Sequence, residues 1–537
     1  MKIYKIKYLL LAAVFLVVAT ESCKKADFDI NQEINVPTDS TVTYDVILPA
    51  ALDATGRIVA NDWGWLQNWM GFWARSGTYA PNVSEETYAL TFNTGFGTTL
   101  WNDLYGNLYN YQVIQNKARQ AGALYYEGIA RLMKAHDYQI LVDVFNNVPY
   151  SQALKGSGNV TPKYDKGIDV YKDLLVQIDT AKAQIARATG SQGKDIATFD
   201  IMFQGDKAKW AKFANTLKLR LLVHLMNGVE TPTLVGGIDV VGQLTALYAD
   251  PDGFLITDAS VQPGYQVNKP SPYWSTYFQD ATSTAVANNQ YYRANSYSTE
   301  YYQYNGDPRT ARFYTVAPGN VYKGVAYGLP SLTTNAYAQL SGIGTGLLKA
   351  ATQPQWIITA TESLFLQAEV MERLTPGSAG LALDAAVLES FNFVGPYPLQ
   401  YKTSVFPDAP TAATFYQTNN AGYPDVDYTA GPLAAGLPGG GLYTILQQKW
   451  FALNGIAPFE LWTDYRRTDI AYGKAGQFPA PAPYVGDGPP ISVSPANTAT
   501  KIPTRLLYPQ TEYNYNAANV LAEGNIERYG KIFWDLQ

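Results

Sequence analysis

Apolar side chains recur at helical spacing through much of this 537-residue chain. Such positions form one apolar face on each helix, so every helix needs a partner against which it can pack. Helices are predicted over residues 100–119, 123–145, 168–188, 207–225, 357–374, 380–394, 443–454 and 458–467. Their starts are unevenly spaced and give no clean repeat of about 34 residues. The pattern predicts a mainly α-helical fold in which helix pairs form one scaffold.

Two stretches interrupt the helical pattern, at residues 229–350 and 395–441. They are rich in Gly and Tyr and have few apolar periods, which is typical of long irregular loops. Loops held by a rigid scaffold often carry binding sites, so we expect this loop-rich part to hold the ligand. The expected organisation is a single body over residues 44–537, with helical-repeat parts at 44–228, 357–394 and 443–468.

The chain begins with a pattern typical of a secretory signal. Three lysines within the first seven residues precede an apolar run at 8–19, which is shorter than the roughly 20 residues of a membrane-spanning helix. Ser22, a small residue, stands directly before Cys23, as at the processing site of a bacterial lipoprotein. We predict a signal peptide at residues 1–22, lipidation of Cys23 and a tether over 23–43. An ordinary signal peptide with an incidental cysteine is the alternative, because Thr20 stands where such sites usually have Leu.

Cys23 is the only cysteine of the chain and therefore cannot form an internal disulfide. Beyond residue 22, no apolar segment approaches the length needed to span a bilayer. Membrane attachment would rest on the lipid, and stable anchoring needs more than one acyl chain.

Composition narrows the class of ligand. The net charge is −6 and no long basic run occurs, which argues against nucleic acid as a partner. Only 16% of residues are charged, while 14% are aromatic and Tyr, at 41, is nearly twice as frequent as Phe. Tyrosine combines a flat apolar face with a polar tip, which suits the binding of neutral polar molecules such as sugars. Most of these aromatic side chains must nevertheless fill the core.

Residues 62–82 form the first candidate binding segment, because they combine four tryptophans with polar side chains. Trp69 and Trp73 are four residues apart and would share one face of a helix, where core packing is the more frequent role. The turn expected after that helix carries polar side chains that can bond to hydroxyl groups. The candidates from this segment are Trp73, Arg75, Tyr79 and Asn82.

Residues 271–309 form the second candidate segment, with eight tyrosines and many amides. Trp274 is the leading candidate, because it follows Pro272 in a stretch predicted to be irregular, where no amphipathic face accounts for it. The other candidates here are Tyr273, Tyr277, Tyr291, Tyr292 and Arg293.

The sequence offers no clear catalytic or metal-binding constellation. His224 falls on an apolar helix face and is predicted to be a core histidine, and His136 has no second His or Cys nearby. Asp425 and Asp427 provide too few ligands for a calcium loop and are predicted to be solvated surface. No catalytic residue, metal or cofactor is therefore expected. A glycosidase needs only two suitably placed carboxylates, which a sequence pattern cannot exclude.

Six segments carry motifs that occur together in one known family. They are Asp27–Asn31 with Pro37-Thr38, Gly128–Leu154 (GIARLMKAHDYQILVDVFNNVPYSQAL), Trp210–Leu222 (WAKFANTLKLRLL), Ala360–Val370 (ATESLFLQAEV), Gln448–Thr468 (QKWFALNGIAPFELWTDYRRT) and Pro503–Val520. In content and order they resemble the SusD/RagB family of nutrient-binding outer-membrane lipoproteins of Bacteroidetes. The loops at 271–350 and 395–441 match no motif of that family, so the resemblance leaves the ligand open.

The resemblance implies a helical body with four tetratricopeptide-like helix pairs and an irregular half built from loops. It implies a non-catalytic protein that captures oligosaccharides at the cell surface and delivers them to a TonB-dependent transporter of the SusC type. It also implies that Trp450, Trp462, Arg466 and Arg467, which lie in a matching segment, serve packing and ion pairing.

Three alternatives stay open at this point. The ligand of the same class of protein could be a peptide, although the Tyr/Asn/Ser-rich loops favour a neutral glycan. A surface-anchored glycoside hydrolase would release reducing sugar from polysaccharide. A scaffold that closes the transporter without binding ligand would tolerate the loss of Trp274 and Arg75.

Overall fold

The computed structural model describes residues 42–61, 63–90, 95–190, 196–228, 231–430, 441–468 and 489–535. The predicted signal peptide, Cys23 and the tether as far as residue 41 lie outside these residues.

Helices dominate the described chain. They are α1 (Tyr44–Asn61), α2 (Gly64–Trp69), α3 (Val83–Glu86), α4 (Thr98–Gln120), α5 (Leu124–Phe145), α6 (Gly167–Arg187), α7 (Ile196–Phe199), α8 (Lys207–His224), α9 (Val240–Tyr248), α10 (Pro272–Tyr277), α11 (Ala287–Tyr291), α12 (Ser296–Tyr304), α13 (Thr310–Phe313), α14 (Ala360–Leu374), α15 (Gly380–Val394), α16 (Ala409–Asn419), α17 (Gly441–Ala452), α18 (Pro458–Thr468), α19 (Gln510–Tyr515) and α20 (Ala517–Ala522).

Strands are short and occur as antiparallel pairs. They are β1 (Trp73–Arg75) with β7 (Tyr292–Ala294), β2 (Val148–Pro149) with β3 (Tyr164–Asp165), β4 (Leu234–Val235) with β5 (Ile238–Asp239), β6 (Ala259–Val261) with β8 (Gln355–Ile358), and β9 (Leu399–Tyr401) with β10 (Ser404–Phe406).

The long helices begin at residues that can cap them. The Asp206 carboxylate accepts hydrogen bonds from the backbone N–H groups of Ala208 and Lys209 at 2.9 and 3.1 Å, which satisfies the first turn of α8. Thr359 caps α14 in the same way, through the N–H of Glu362 at 3.2 Å. All eight helices predicted from periodicity are present, because their apolar faces and end signals are local properties of the sequence.

The helices pack in chain order. α1 packs on α4, α4 on α5, α5 on α6 and α6 on α8, while α14 packs on α8, α15 and α17. The short connection between α4 and α5 makes these two helices antiparallel neighbours. One apolar cluster includes Tyr44, Trp534 and residues of the loop-rich part such as Tyr273. The mainly α-helical fold with helix pairs is confirmed, and the division of the chain into domains stays a prediction.

The loop-rich part contains more regular structure than the sequence predicts. The tyrosine-rich stretch at 271–309 folds into α10, α11, β7 and α12. Trp274 therefore lies in a short helix and not in an irregular segment, which corrects that prediction. The described part of 395–441 likewise contains the β9–β10 pair and α16. Elements this short carry too few residues to produce a visible apolar period.

Trp69 and Trp73 do not share a helix. α2 ends at Trp69, and Gly71 follows with φ of +82°, a left-handed conformation that favours glycine. A Cβ at Gly71 would lie 2.7 Å from Pro490 and 2.9 Å from Tyr297, so the turn is also closely packed. Trp73 then begins β1. Both tryptophans are fully buried, in agreement with the predicted core role.

A buried ion network joins α14, α17 and α18. Arg467 donates to both carboxylate oxygens of Glu369 at 2.7 Å and to Asp464 at 2.5 Å. Arg373 donates to Glu369 at 2.8 Å, and Lys449 Nζ lies 2.9 Å from Asp464. All five side chains are fully buried. These contacts agree with the packing and ion-pair role predicted for this segment.

The C-terminal segment packs against the helical half of the molecule, which consists of α1 and α4 to α8. Trp534 Nε1 donates to Asp143 Oδ1 in α5 at 2.9 Å. Tyr508 donates its hydroxyl hydrogen to the carbonyl of Asn147 at 2.8 Å, just beyond the end of α5. The C-terminal segment thus adds hydrogen bonds to a helix that lies in the first third of the chain.

Candidate functional site

The two candidate segments are joined by the pairing of β1 with β7. Trp73 lies opposite Ala294, Ala74 opposite Arg293, and Arg75 opposite Tyr292. This register brings side chains from residues 73–82 next to side chains from residues 273–293. The backbone pairing therefore creates one site from two distant parts of the sequence.

Aromatic rings fill the space beneath this pair of strands. The ring of Trp73 lies 5.1 Å from Tyr277 and 5.4 Å from Tyr292, and the last two rings are 5.7 Å apart. The row continues outward from Tyr292 to Tyr291 at 4.9 Å and from Tyr291 to Tyr79 at 5.4 Å. Trp73 and Tyr277 are buried, whereas Tyr79 and Tyr291 are half-buried and offer ring surface to solvent.

A cavity of about 260 Å³ opens beside these rings. Tyr277 and Arg293 line it together with three side chains that the sequence did not single out, Phe278, Asn289 and Tyr337. Its remaining wall is formed by residues of the 315–318 and 338–348 stretches. The cavity combines aromatic faces, an amide and a guanidinium, which is the usual composition of a site for a small polar ligand.

Arg293 supplies unused hydrogen-bond donors to the cavity. Its Nε donates to the carbonyl of Tyr337 at 3.1 Å and its Nη1 to the carbonyl of Tyr292 at 3.3 Å. The guanidinium also lies 5.4 Å from the ring centre of Tyr337, a cation–π distance. Burial lowers the pKa of Arg293 to about 10, so the side chain is charged at neutral pH. Its Nη2 group donates to no described protein atom and can bond to a ligand hydroxyl.

Trp274 lies at the edge of the cavity. Its half-buried ring contacts Phe278, a lining residue, at 4.5 Å. Its neighbour Tyr273 is buried, donates its hydroxyl hydrogen to the carbonyl of Gly455 at 2.9 Å, and packs on Trp356 at 4.7 Å. Tyr273 therefore fixes α10 to the core, and Trp274 is the residue of the two that reaches the surface.

Arg75 and Asn82 are held by contacts within the fold. Arg75 is buried, pairs with Glu86 at 2.5 Å and donates to the carbonyls of Tyr79 and Leu329 at 2.7 Å. Asn82 is exposed and caps α3, since its side-chain oxygen accepts from the N–H of Glu85. Both residues support the turn that carries Tyr79, and we do not include them in the ligand-contacting set.

The lining residues that the sequence analysis missed differ in how well the sequence alone could have indicated them. Phe278 and Asn289 lie within the tyrosine-rich segment and could have been included by position. Tyr337 lies in a short 3₁₀ turn (Tyr337–Gln339), and nothing in its local sequence distinguishes it from other loop tyrosines. Only the fold brings Tyr337 to Arg293.

The described lining of the cavity contains no carboxylate and no histidine. Glycoside hydrolysis requires a pair of carboxylates about 5–10 Å apart. The two histidines lie elsewhere. His136 bonds to Asp137 at 2.9 Å, and His224 is buried between Asp143 at 3.0 Å and Glu460 at 2.9 Å, as a core histidine should be.

Asp425 corrects another prediction, because it is buried and not solvated. Its carboxylate accepts a hydrogen bond from the hydroxyl of Tyr443 at 2.7 Å. Burial raises the pKa of Asp425 to about 6. Within the described residues, no group of three or more His, Cys, Asp or Glu side chains is placed to hold a metal ion.

A family profile shows to which family this chain belongs. The profile of a SusD-like family described as "Starch-binding associating with outer membrane" matches residues 38–509, most of the chain. The chain belongs to the SusD-like family. Membership supports a nutrient-binding role, and the family description associates its members with the outer membrane.

Solved structures share the fold of this SusD-like chain. One described as a chitin-binding protein is 23% identical with a TM-score of 0.67, and the match covers 92% of this chain and 99% of that one. A chitin-binding SusD homologue from Flavobacterium johnsoniae is 20% identical with a TM-score of 0.67, over 91% and 98% of the two chains. A SusD homologue from Bacteroides fragilis NCTC 9343 is 19% identical with a TM-score of 0.67, over 92% and 99%. At these identities the likeness establishes the fold alone.

No curated protein sequence matches this SusD-like chain. Within the part of the chain that the structure describes, no helix combines the length and the apolar character needed to cross a bilayer.

Proposed function

We propose that this SusD-like protein is a non-catalytic cell-surface lipoprotein that captures a neutral oligosaccharide in the cavity beside β1 and β7. It would then pass the oligosaccharide to a TonB-dependent outer-membrane transporter of the SusC type. The observation that carries the proposal is the cavity itself, which combines tyrosine faces with the unused donors of Arg293 and has no carboxylate among its described lining residues.

Each part of the cavity suits a sugar. Tyrosine and tryptophan faces can stack on the apolar C–H faces of a pyranose ring, while their polar edges remain hydrated. The Nη2 group of Arg293 and the amide of Asn289 can bond to hydroxyl groups. The half-buried rings of Tyr79 and Tyr291 lie on the adjoining surface, where they could contact further sugar units.

The size of the cavity indicates how much of the ligand it holds. Its volume of about 260 Å³ lies just below the range of typical ligand pockets, which is roughly 300–1,000 Å³. The cavity would therefore enclose one end of an oligosaccharide, and the rest would lie across the exposed rings. Starch and chitin fragments are the first ligands to test, because the matched family is described as starch-binding and two solved relatives as chitin-binding.

Arg293→Met and Trp274→Ala are each expected to weaken oligosaccharide binding by about 1–3 kcal/mol, the usual result of removing an anchor from a binding site. The measurement is calorimetric titration of the full-length protein in detergent with maltooligosaccharides, chitooligosaccharides and mixed peptides. Arg57→Met and Tyr515→Ala are matched controls at exposed positions and should bind as the wild type does.

Other outcomes of this titration would contradict the proposal. Binding to peptides alone would favour a peptide-binding protein, and no binding at all would favour a scaffold. Unchanged sugar binding in Arg293→Met, with a normal melting temperature, would place the site elsewhere. Reducing sugar released from polysaccharide would favour the hydrolase.

Cys23→Ala is expected to remove the protein from the outer membrane without altering its fold. The reason is that the proposed attachment depends on acyl chains on this residue. The measurement is fractionation of cells that lack the transporter, with the circular dichroism of the purified protein as the control for folding. Retention of the variant in outer-membrane fractions of those cells would contradict the lipoprotein assignment.

A further inference from the structure

A second and larger cavity lies in the helical half. It has a volume of about 550 Å³, opens to solvent and is lined by residues of α4, α5, α6 and the 150–155 stretch. It shares no lining residue with the cavity beside β1 and β7. The proposed function makes no use of it.

The wall of this helical cavity is rich in neutral hydrogen-bonding groups. Gln112, Gln115 and Asn116 project from α4, and Gln177 projects from α6. Three tyrosines add phenol groups, whereas apolar lining is limited to a few aliphatic side chains. Amides and phenols can both donate and accept hydrogen bonds, which suits a ligand with many hydroxyl groups.

Lys134 in α5 gives the cavity a positive charge. Its Nζ group donates to the side-chain oxygens of Gln112 and, at 3.0 Å, of Gln115. No carboxylate of the described residues lies within ion-pair distance of this group, so the ammonium is bonded only by neutral partners. Burial, together with the charges of Arg131 and Arg119, lowers the pKa of Lys134 to about 8, against the opposing charge of Asp173. A bound anion would relieve this repulsion.

The other charged groups of the wall leave a positive excess. Arg119 and Lys155 also line the cavity, and Arg119 is bonded to Glu127 at 3.0 Å. Asp173 is the one acidic residue of the described lining. Its carboxylate already accepts hydrogen bonds from the hydroxyl of Tyr150 and from the amide of Gln177 at 3.2 Å. Asp173 is therefore engaged within the wall, while Lys134 retains a donor for the cavity.

We propose that the helical cavity binds an acidic sugar, with Lys134 pairing with the sugar carboxylate and the surrounding amides bonding to its hydroxyl groups. A cavity of about 550 Å³ is within the range of small-ligand sites. An inorganic anion would leave most of the amide wall unused. A peptide would present apolar side chains to a wall that offers them little apolar surface.

The test is calorimetric titration of the full-length protein in detergent with digalacturonate, with lactose as a neutral disaccharide and with alanyl-alanine as a small carboxylate-bearing peptide. Saturable binding of digalacturonate, at least tenfold tighter than binding of lactose or alanyl-alanine, is expected. Lys134→Gln should weaken it at least tenfold, and Lys134→Arg, which keeps the charge, should restore part of the affinity.

Asn116→Asp provides a second variant in case Lys134→Gln does not fold. Asn116 is exposed, and its side-chain oxygen accepts a hydrogen bond from Gln112 that aspartate can also accept. The added negative charge should weaken digalacturonate binding about fivefold or more. Lys172→Gln, at an exposed position of α6 outside the cavity, is the control and should have no effect.

The two binding proposals fail separately. Arg293→Met should leave digalacturonate binding intact, and Asn116→Asp should leave neutral oligosaccharide binding intact. No binding of digalacturonate, equal or tighter binding of lactose or alanyl-alanine, or unchanged binding in folded Lys134→Gln and Asn116→Asp would overturn the acidic-sugar site.

Discussion

Arg467→Ala is expected to lower the free energy of unfolding by about 3–5 kcal/mol, because it leaves a buried carboxylate without its main partner. Arg467 holds Glu369 through two parallel hydrogen bonds of 2.7 Å, and both side chains are fully buried. Although burial opposes ionisation, the charges of Arg467 and Arg373 hold the pKa of Glu369 well below its usual range. Removing Arg467 takes away the largest of the charges that favour ionisation, so the buried Glu369 must either stay charged with Arg373 as its remaining hydrogen-bonded partner or bind a proton, and either state costs stability.

Equilibrium unfolding in urea, followed by tryptophan fluorescence, measures this change. Lys172→Ala is the control, because Lys172 and Asp169 form an exposed pair at 3.1 Å, and such pairs contribute about 0–1 kcal/mol. Arg467→Lys should be intermediate, since lysine keeps the charge but loses the bidentate geometry. An Arg467→Ala variant as stable as Lys172→Ala would show that the network contributes little to folding.

Glu85→Gln is expected to stabilise the protein increasingly as the pH rises, by about 2–3 kcal/mol more at pH 8.5 than at pH 5. Burial raises the pKa of Glu85 to about 7, against the opposing effect of hydrogen bonds from Asn68 at 2.7 Å and Tyr327 at 3.2 Å. The charge of Glu86 acts in the same direction as burial. The folded protein therefore binds this proton more tightly than the unfolded chain, whose glutamates titrate near their usual value of about 4.3.

The sign of the effect follows from proton binding. Between the unfolded and folded pKa values the native state holds more protons, so its stability falls as pH rises through this window and levels off above pH 7. Glutamine has no proton to lose, so the variant lacks this decline.

Urea titrations of both proteins at several pH values measure the difference. Val176→Ala, an uncharged change at an exposed position of α6, should differ from the wild type by the same amount at every pH. A constant difference for Glu85→Gln as well would contradict the raised pKa of Glu85.

The helical half could be predicted from the sequence because its signals are local. The helix predicted over 168–188 is observed as Gly167–Arg187, and the one predicted over 458–467 as Pro458–Thr468. Each carries an apolar stripe, and that pattern alone determines the element. The same reliance on local spacing explains the wrong prediction for Trp69 and Trp73. Their spacing of four residues is typical of one shared helix, but α2 ends at Trp69 and Gly71 adopts a left-handed conformation.

The candidate site depends on contacts that local patterns do not encode. The sequence indicated both segments, but not that β1 would pair with β7 and bring them together. Nor could composition distinguish a buried ring from an exposed one. Trp73 and Tyr277 lie in the core, while Tyr79 and Tyr291 reach the surface, and only the packed structure separates the two groups.

The helical cavity was missed for a related reason. Gln112, Gln115 and Lys134 occupy polar positions of amphipathic helices, which ordinarily face water. Their meeting across α4 and α5 is a result of how the two helices pack, as is the burial of Lys134.

The hydrogen bond from Trp534 to Asp143 ties the C-terminal segment to a helix in the first third of the chain. Its two residues are 391 positions apart, and closing a loop of that length costs conformational entropy before the hydrogen bond can form. The carboxylate of Asp143 also accepts hydrogen bonds from Gln139 at 2.6 Å and from Tyr171, and it lies 3.0 Å from His224 Nδ1, so the bond from Trp534 is one of several. During synthesis, the early helices therefore lack this one contact until the final residues have been added. A chain that ends before Trp534 is expected to leave the carboxylate of Asp143 with one hydrogen bond fewer, and a lower melting temperature of such a chain would measure what this contact contributes.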